Sequence, residues 1–298
     1  MKYTDIHDPR RIELSLTKKY NKTIWGRFIK GIKEYELIEE GDRIAVCISG
    51  GKDSMLMAKC IQHLQKYSEK PFEAEYIVMD PGYSPKNLEK IKENAEILGI
   101  PIKIFTSQIF EAVSDVEQSP CYLCARMRRG HLYSYAESLG CNKIALGHHF
   151  DDVIETIVMG MFYGAQMQTM MPKLWSANFT GMQLIRPLYM VREQDIIAWA
   201  RYNGLEFIQC ACRFTEMTSK AEHESMSKRR EIKSLLAELR KKSPCIDMNI
   251  FRSVENVNLE TIISYHRGTE SRHFLDDYHD RPLKKEQEKN VEQTRADI

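Results

Sequence analysis

Along the 298 residues the period of the apolar positions switches repeatedly. Short runs rich in Val, Ile, Phe and Tyr alternate with longer stretches of helical spacing, the order that builds a parallel sheet covered by helices. Arg43–Ile48 predicts a buried strand and Lys52–Tyr67 the helix behind its glycine turn. Ala74–Met79 predicts a second strand, stopped by Pro81 and Gly82. Ser84-Pro85 opens a helix that runs to Leu98, where Gly99 supplies the stop. Ile102–Phe105 is a third strand. A helix over Arg126–Leu139, closed by Gly140, leads to a strand at Lys143–Leu146, and a helix resumes from Asp151. Gln183–Arg186, a helix over Arg192–Tyr202 and a strand at Glu206–Ile208 repeat the unit. Right-handed crossovers then align the loops after the strands along one sheet edge, where ligands bind in such folds.

Composition adds exclusions. With 43% apolar and 29% charged residues the chain is of ordinary globular class, which rules out wholesale disorder and a collagen-like fibre. No apolar run approaches the ~20 residues of a bilayer span. Met1–Glu13 is polar and lacks the apolar stretch of a secretory signal, so a cytoplasmic protein with no membrane association is expected. The balance of 43 Lys+Arg against 42 Asp+Glu hides a local excess, since residues 1–34 hold nine basic and four acidic side chains. Residues 1–36 therefore read as a basic helical arm, 37–215 as the catalytic domain, 216–267 as a helical segment and 268–298 as a charged, mobile tail.

Ser49-Gly50-Gly51-Lys52-Asp53-Ser54 lies between the first strand and its helix. Two glycines let backbone N–H groups close around an anion at a helix N-terminus, and Lys52 with the two serine hydroxyls adds donors. The spacing is neither that of a Walker A loop nor that of a dinucleotide-binding glycine motif. The bland alternative is a capped strand-to-helix turn.

Of the eight cysteines, four form close pairs, Cys121/Cys124 and Cys210/Cys212. In a chain with no export signal, such pairs favour metal or redox chemistry over disulfides. Cys121-Tyr-Leu-Cys124 stands just ahead of the predicted helix, where Arg126, Arg128 and Arg129 would favour thiolates. Four thiolates would close a structural zinc site; three would hold an iron–sulfur cluster with one iron open. Cys47 and Cys60 sit in apolar contexts and read as small core residues.

Further strings carry a family likeness: Cys121-Tyr-Leu-Cys-Ala-Arg-Met-Arg-Arg-Gly130, Lys143-Ile-Ala-Leu-Gly-His-His-Phe-Asp-Asp152, Met161-Phe-Tyr-Gly164 and Ile185-Arg-Pro-Leu188. With the glycine loop they resemble the tRNA 2-thiocytidine synthetase family of the PP-loop ATP pyrophosphatases, over roughly Lys18–Tyr265. The resemblance implies an α/β fold, a Rossmann-like parallel sheet flanked by helices of the adenine nucleotide α-hydrolase type, with an N-terminal helical arm and a C-terminal helical extension. It also implies an enzyme that uses ATP, Mg²⁺ and a 4Fe–4S cluster to exchange the C2 oxygen of cytidine 32 in the tRNA anticodon loop for sulfur originating from a cysteine desulfurase. Assembly as a homodimer stays open.

By the same likeness, Ser49, Gly50, Gly51, Lys52, Asp53, Ser54, Asp80 and Gly147 would meet ATP, with Asp53 also associated with Mg²⁺. Lys52, Asp53, Arg128 and Asp152 would act in catalysis. Cys121 and Cys124 match two cluster ligands. The family's Pro-Cys-x-x-Cys-Gly is here Gln209-Cys210-Ala211-Cys212-Arg213, so Cys212 is the expected third ligand and Cys210 the fallback. Asp151 and Asp152 also suit N-capping, Asp80 a turn before Pro81, and His148 and His149 hydrogen bonding in their loop. Residues 165–182, with Trp175 and Phe179, read either as a base-stacking substrate loop or as plain surface. Lys228-Arg229-Arg230 and Arg240-Lys241-Lys242 would face tRNA phosphates. Rival readings are a different PP-loop ligase with structural zinc, and a non-catalytic RNA-binding relative.

Overall fold

The computed structural model describes residues 8–107, 120–208 and 220–278, except for the side chains of 120–126, 128 and 220–227. Strands β1 (Arg43–Cys47), β2 (Glu73–Asp80), β3 (Ile102–Thr106), β4 (Lys143–Ala145), β5 (Lys173–Trp175) and β6 (Gln183–Ile185) form one sheet in the order β3-β2-β1-β4-β6-β5. Every pairing is parallel except β5 with β6. The expected parallel α/β sheet is present, and the order reverses between β1 and β4. That reversal opens a crevice beyond the carboxyl ends of these two strands.

Helix α3 (Lys52–Tyr67) has the bounds its sequence predicts. α4 (Pro85–Leu98) starts with Ser84 accepting from the amide of Asn87 and ends at Gly99 with φ +64°, a left-handed stop open to glycine. α5 spans Pro120–Ser138, α6 Phe150–Gly164, α7 Glu193–Tyr202, α8 Lys220–Lys242 and α9 Ile246–Glu255. β1 shares its residues between two cores. Ile44, Val46 and Ile48 pack with the apolar faces of α3 and α7, whereas Ala45 and Cys47 face Tyr133 and Ala136 of α5.

The N-terminal stretch winds as α1 (Pro9–Leu14), two π-helical segments (Ser15–Lys19 and Asn21–Trp25) and α2 (Gly26–Glu34). Its Ile12, Leu16, Ile24 and Phe28 are completely buried within the first core. At about 1.5–3 kcal/mol for each buried aliphatic or aromatic side chain, this stretch is a layer of the fold whose outer face carries Lys18, Lys19, Lys22 and Lys30.

Three expectations are corrected. Glu206–Ile208 is not a strand: the Glu206 carbonyl accepts from the Asn94 side chain of α4, 2.9 Å away, and Phe207 and Ile208 pack on the core. Residues 173–175, expected within a loop, are β5. α5 begins at Pro120, so Cys121 and Cys124 stand inside its first turns instead of ahead of it. Cys210 and Cys212 lie outside the described residues.

The described residues from Arg252 onward form a second compact unit, within which β7 (Ser264–Arg267) and β8 (Glu270–His273) pair as an antiparallel hairpin. β8 falls in the stretch expected as tail, and residues 279–298 lie outside the described residues. No described helix is long and apolar enough to cross a membrane.

Candidate active site

The crevice holds a cavity of about 530 Å³ whose walls include Ser49, Asp53, Ser54, Gly147, His148 and Asp152. Loops after β1 and β4 thus meet there, as the strand order requires. Gly50 has φ +83°, and a Cβ on it would come within 2.6 Å of Ile91 and Ile208 side-chain atoms, so the loop accepts only glycine there. A Cβ on Gly147 would lie 3.0 Å from the Ser54 amide nitrogen, which presses the β4 loop onto the first turn of α3. The Ser54 hydroxyl donates to the Gly51 carbonyl (3.0 Å) and accepts from the Ser49 amide (3.1 Å), closing the loop on itself.

Lys52 bridges two carboxylates, Asp53 and Glu193, each at 3.1 Å. Burial works against its ammonium, but the two acids outweigh burial and the net shift is upward. Glu193, the first residue of α7, also takes Lys233 of α8 at 3.2 Å. Burial alone would raise its carboxyl; the hydrogen bond and charge of Lys52, with Lys233 and His149, bring it down to about 2. Lys233 reaches Glu155 (3.6 Å), Glu155 takes Arg229 (2.9 Å), and Arg229 reaches Asp152 (3.5 Å). His149 lies 3.4 Å from Asp152 and 3.8 Å from Asp53. These eight side chains form a closed ring in which Lys52, Lys233 and Arg229 alternate with carboxylates and His149 lies between Asp152 and Asp53.

Asp152 serves two ends. Its carboxylate accepts from the His149 amide while the His149 ring accepts from the Asp152 amide, a capping box at the start of α6, and it also lines the cavity. Asp151 is different: it is buried and held by Arg192, Arg240 and the Glu193 amide. Arg240 and Arg192 hold buried Asp247 as well. One Asp80 oxygen accepts from the amides of Gly82 and Tyr83, the turn role.

Two buried polar atoms face this region with no hydrogen-bond partner among the described residues, Asp53 Oδ1 and His148 Nδ1. Burial, and next the charge of Arg186, push the His148 imidazole down to about 4, so it is neutral across the physiological range. A lone carboxylate oxygen at a phosphate loop fits Mg²⁺, which is commonly held by one or two carboxylates plus substrate phosphates. Among the described residues no trio of His, Cys, Asp and Glu is grouped as a protein-only metal site.

Arg129 and Leu132 of α5 line the same cavity, so the helix that carries Cys121, Cys124 and Arg128 in its opening turns flanks the phosphate loop. The chain toward Cys210 and Cys212 leaves the described residues at Ile208, beside Gly50. Cys47, Cys60 and Cys141 are buried, and burial raises the Cys47 thiol to about 12, as befits small core residues. The basic face foreseen on α8 is partly spent: Arg229 and Arg240 turn inward, and Lys241 pairs with Glu238. In the loop, Phe179 stacks on Tyr133 with ring centroids 5.0 Å apart, while Trp175 remains 65% exposed.

Glu193, Lys233 and Glu155 were not singled out from sequence, and Arg229 was expected to face tRNA phosphates, not Glu155 and Asp152. Glu193 alone carries a local signal, an acid in the first turn of a helix, which capping explains equally well.

A family model described as the PP-loop domain matches residues 21–212. The tRNA-cytidine(32) 2-sulfurtransferase of Pelobacter propionicus is 34% identical over 77% of this chain and 83% of its own length. That of Vibrio parahaemolyticus is 38% identical over 76% of this chain and 74% of its own. Among solved structures, the U34-tRNA thiolase NcsA from Methanococcus maripaludis with its 4Fe–4S cluster superposes with a TM-score of 0.60 at 21% identity, covering 80% of this chain and 78% of that one, a likeness of fold. By these matches the chain belongs to the PP-loop family that includes the tRNA-cytidine(32) 2-sulfurtransferases.

Proposed function

We propose that the chain uses ATP to replace the C2 oxygen of cytidine 32 in tRNA with sulfur, giving 2-thiocytidine. The observation that supports this reading is convergence: the phosphate loop, Asp152 and the helix bearing the Cys121-x-x-Cys124 pair border one cavity. Three residues apart on a helix, the two cysteines share a face, a donor set suited to a cluster. Cys212 is the third ligand in this reading, with Cys210 as the fallback.

An amide-like carbonyl oxygen leaves poorly, so it must first be activated. The backbone of Ser49–Ser54 and Lys52 hold the phosphates of ATP and place the α-phosphorus toward the cytidine. The C2 oxygen attacks that phosphorus, an O–P bond forms and pyrophosphate leaves, its charge met by Lys52. Hydrosulfide then adds at C2, the C2–O bond breaks and AMP departs with the original oxygen. When bound, Mg²⁺ at Asp53 supplies further charge neutralisation and the cluster a coordination position open to sulfide. Arg128 stabilises the activated base, and Asp152 orders the His149 loop against the reacting phosphate. The sulfur originates from a cysteine desulfurase in this reading.

The test is reconstitution under anaerobic conditions with tRNA, ATP, Mg²⁺ and sulfide. One 2-thiocytidine per pyrophosphate released is expected, with none in a Cys124→Ala protein. Pyrophosphate release with unthiolated, otherwise modified tRNA would replace this reading with another PP-loop ligase.

A further inference from the structure

Lys52 does not stand ready over the phosphate loop: both acids beside it hold its ammonium. Asp53 is its neighbour on α3, but Glu193 comes from α7, 141 positions along the chain. Phosphates entering the loop need that ammonium and are repelled by the Glu193 carboxylate next to it. Glu193 in turn divides its charge between Lys52 and Lys233, which bond to different oxygens of the same carboxylate. Side-chain exposure is 26% for Lys52 and 27% for Glu193, so the pair is shielded from bulk screening, whereas Lys233 at 47% is closer to solvent.

We infer that Glu193 is a positioning residue that holds Lys52 in a resting place until the phosphates of ATP compete it away, and that Lys233 of α8 sets how tightly it does so. The carboxylate keeps the ammonium ordered at the loop instead of free in solvent, and its grip weakens as Lys233 takes a larger share of its charge. The strength of ATP binding is therefore tuned from α8, the helix that follows the segment bearing Cys210 and Cys212. Lys233 also reaches Glu155, which Arg229 shares, so the tuning extends to the Asp152 side of the ring. This rests on ATP occupying the cavity and not on cytidine being the acceptor.

Opposite signs distinguish this role from simple structural support. Binding of a non-hydrolysable ATP analogue with Mg²⁺ is measured by titration calorimetry on the full-length protein. Glu193→Gln removes the competitor and should tighten binding about tenfold, while slowing thiolation because Lys52 is less well placed. Lys233→Met removes the competing ammonium from Glu193 and should weaken binding about threefold to tenfold. The double variant should behave as Glu193→Gln, since Lys233 acts through that carboxylate. Weakening by both single variants, or no change in either, would overturn the resting role. Should Glu193→Gln fail to fold, Glu193→Ala and Lys233→Met carry the same comparison. A wild-type protein that does not bind the analogue would instead overturn the functional reading itself.

Discussion

Asp151 and Asp152 are adjacent in the chain, yet each belongs to a different charged cluster. Asp151, with Asp247, Arg192 and Arg240, is a buried knot joining α6, α8, α9 and the start of α7; its carboxylate oxygens are occupied by guanidinium groups and a backbone amide. Asp152 belongs to the ring that includes Lys52 and Glu193, beside a cavity and two polar atoms with no hydrogen-bond partner among the described residues. The composition of the two clusters is similar. What separates them is completeness: a saturated buried cluster fixes helices, whereas one with spare acceptors next to open volume is arranged to receive a ligand.

The largest effect that would test this contrast is on stability. Asp151→Ala leaves Arg192 and Arg240 with Asp247 as their shared carboxylate and the Glu193 amide without its acceptor, and should cost about 1.5–3 kcal/mol, read from urea unfolding. A cost below about 1 kcal/mol would show the knot to be no more than a surface pair. Lys52→Ala should do the reverse, lowering thiolation about 100-fold or more at a smaller cost in stability than Asp151→Ala, since Lys233 still pairs with Glu193. A comparable loss of stability in Lys52→Ala would erase the distinction.

A smaller effect is expected in acid. The His148 imidazole is lowered from 6.5 to about 4 and the Glu193 carboxyl from 4.5 to about 2. For each, the unfolded chain binds a proton more readily than the folded one, so stability is full above the unfolded value and declines as pH falls toward the folded value. Stability should fall first between pH 6.5 and 4 and again between 4.5 and 2. His148→Gln should shrink the upper stage, which His63 shares, and Glu193→Gln the lower, which Glu13 and Glu75 share; unfolding curves across that range in which neither variant reduces its stage would contradict these environments.

The phosphate loop was legible because its signals are local: two glycines, a lysine and two serines in six residues, placed between a strand and a helix whose periods are clear. α3 and α4 were legible for the same reason, with Ser84-Pro85 and Gly99 marking the ends of α4. Ser119-Pro120 carries the same opening signal as Ser84-Pro85, but the cysteine pair drew the predicted start of α5 downstream to Arg126. β5 and the segment 206–208 show the opposite limit, since only pairing in three dimensions decides whether an apolar run becomes a strand. Glu193 and Lys233 could not be found from spacing, because the ring exists only once α7 and α8 pack beside α3 and α6. The buried knot is likewise invisible in sequence, where Arg240 resembles one more residue of a basic patch.

The measurement that bears most directly on the whole account is nucleoside mass spectrometry of tRNA from the source strain with this gene deleted, and from the same strain carrying the wild-type or the Lys52→Ala gene. Loss of 2-thiocytidine on deletion, return with the wild type and continued absence with Lys52→Ala are the expected results. Undiminished 2-thiocytidine in the deletion strain would contradict the account.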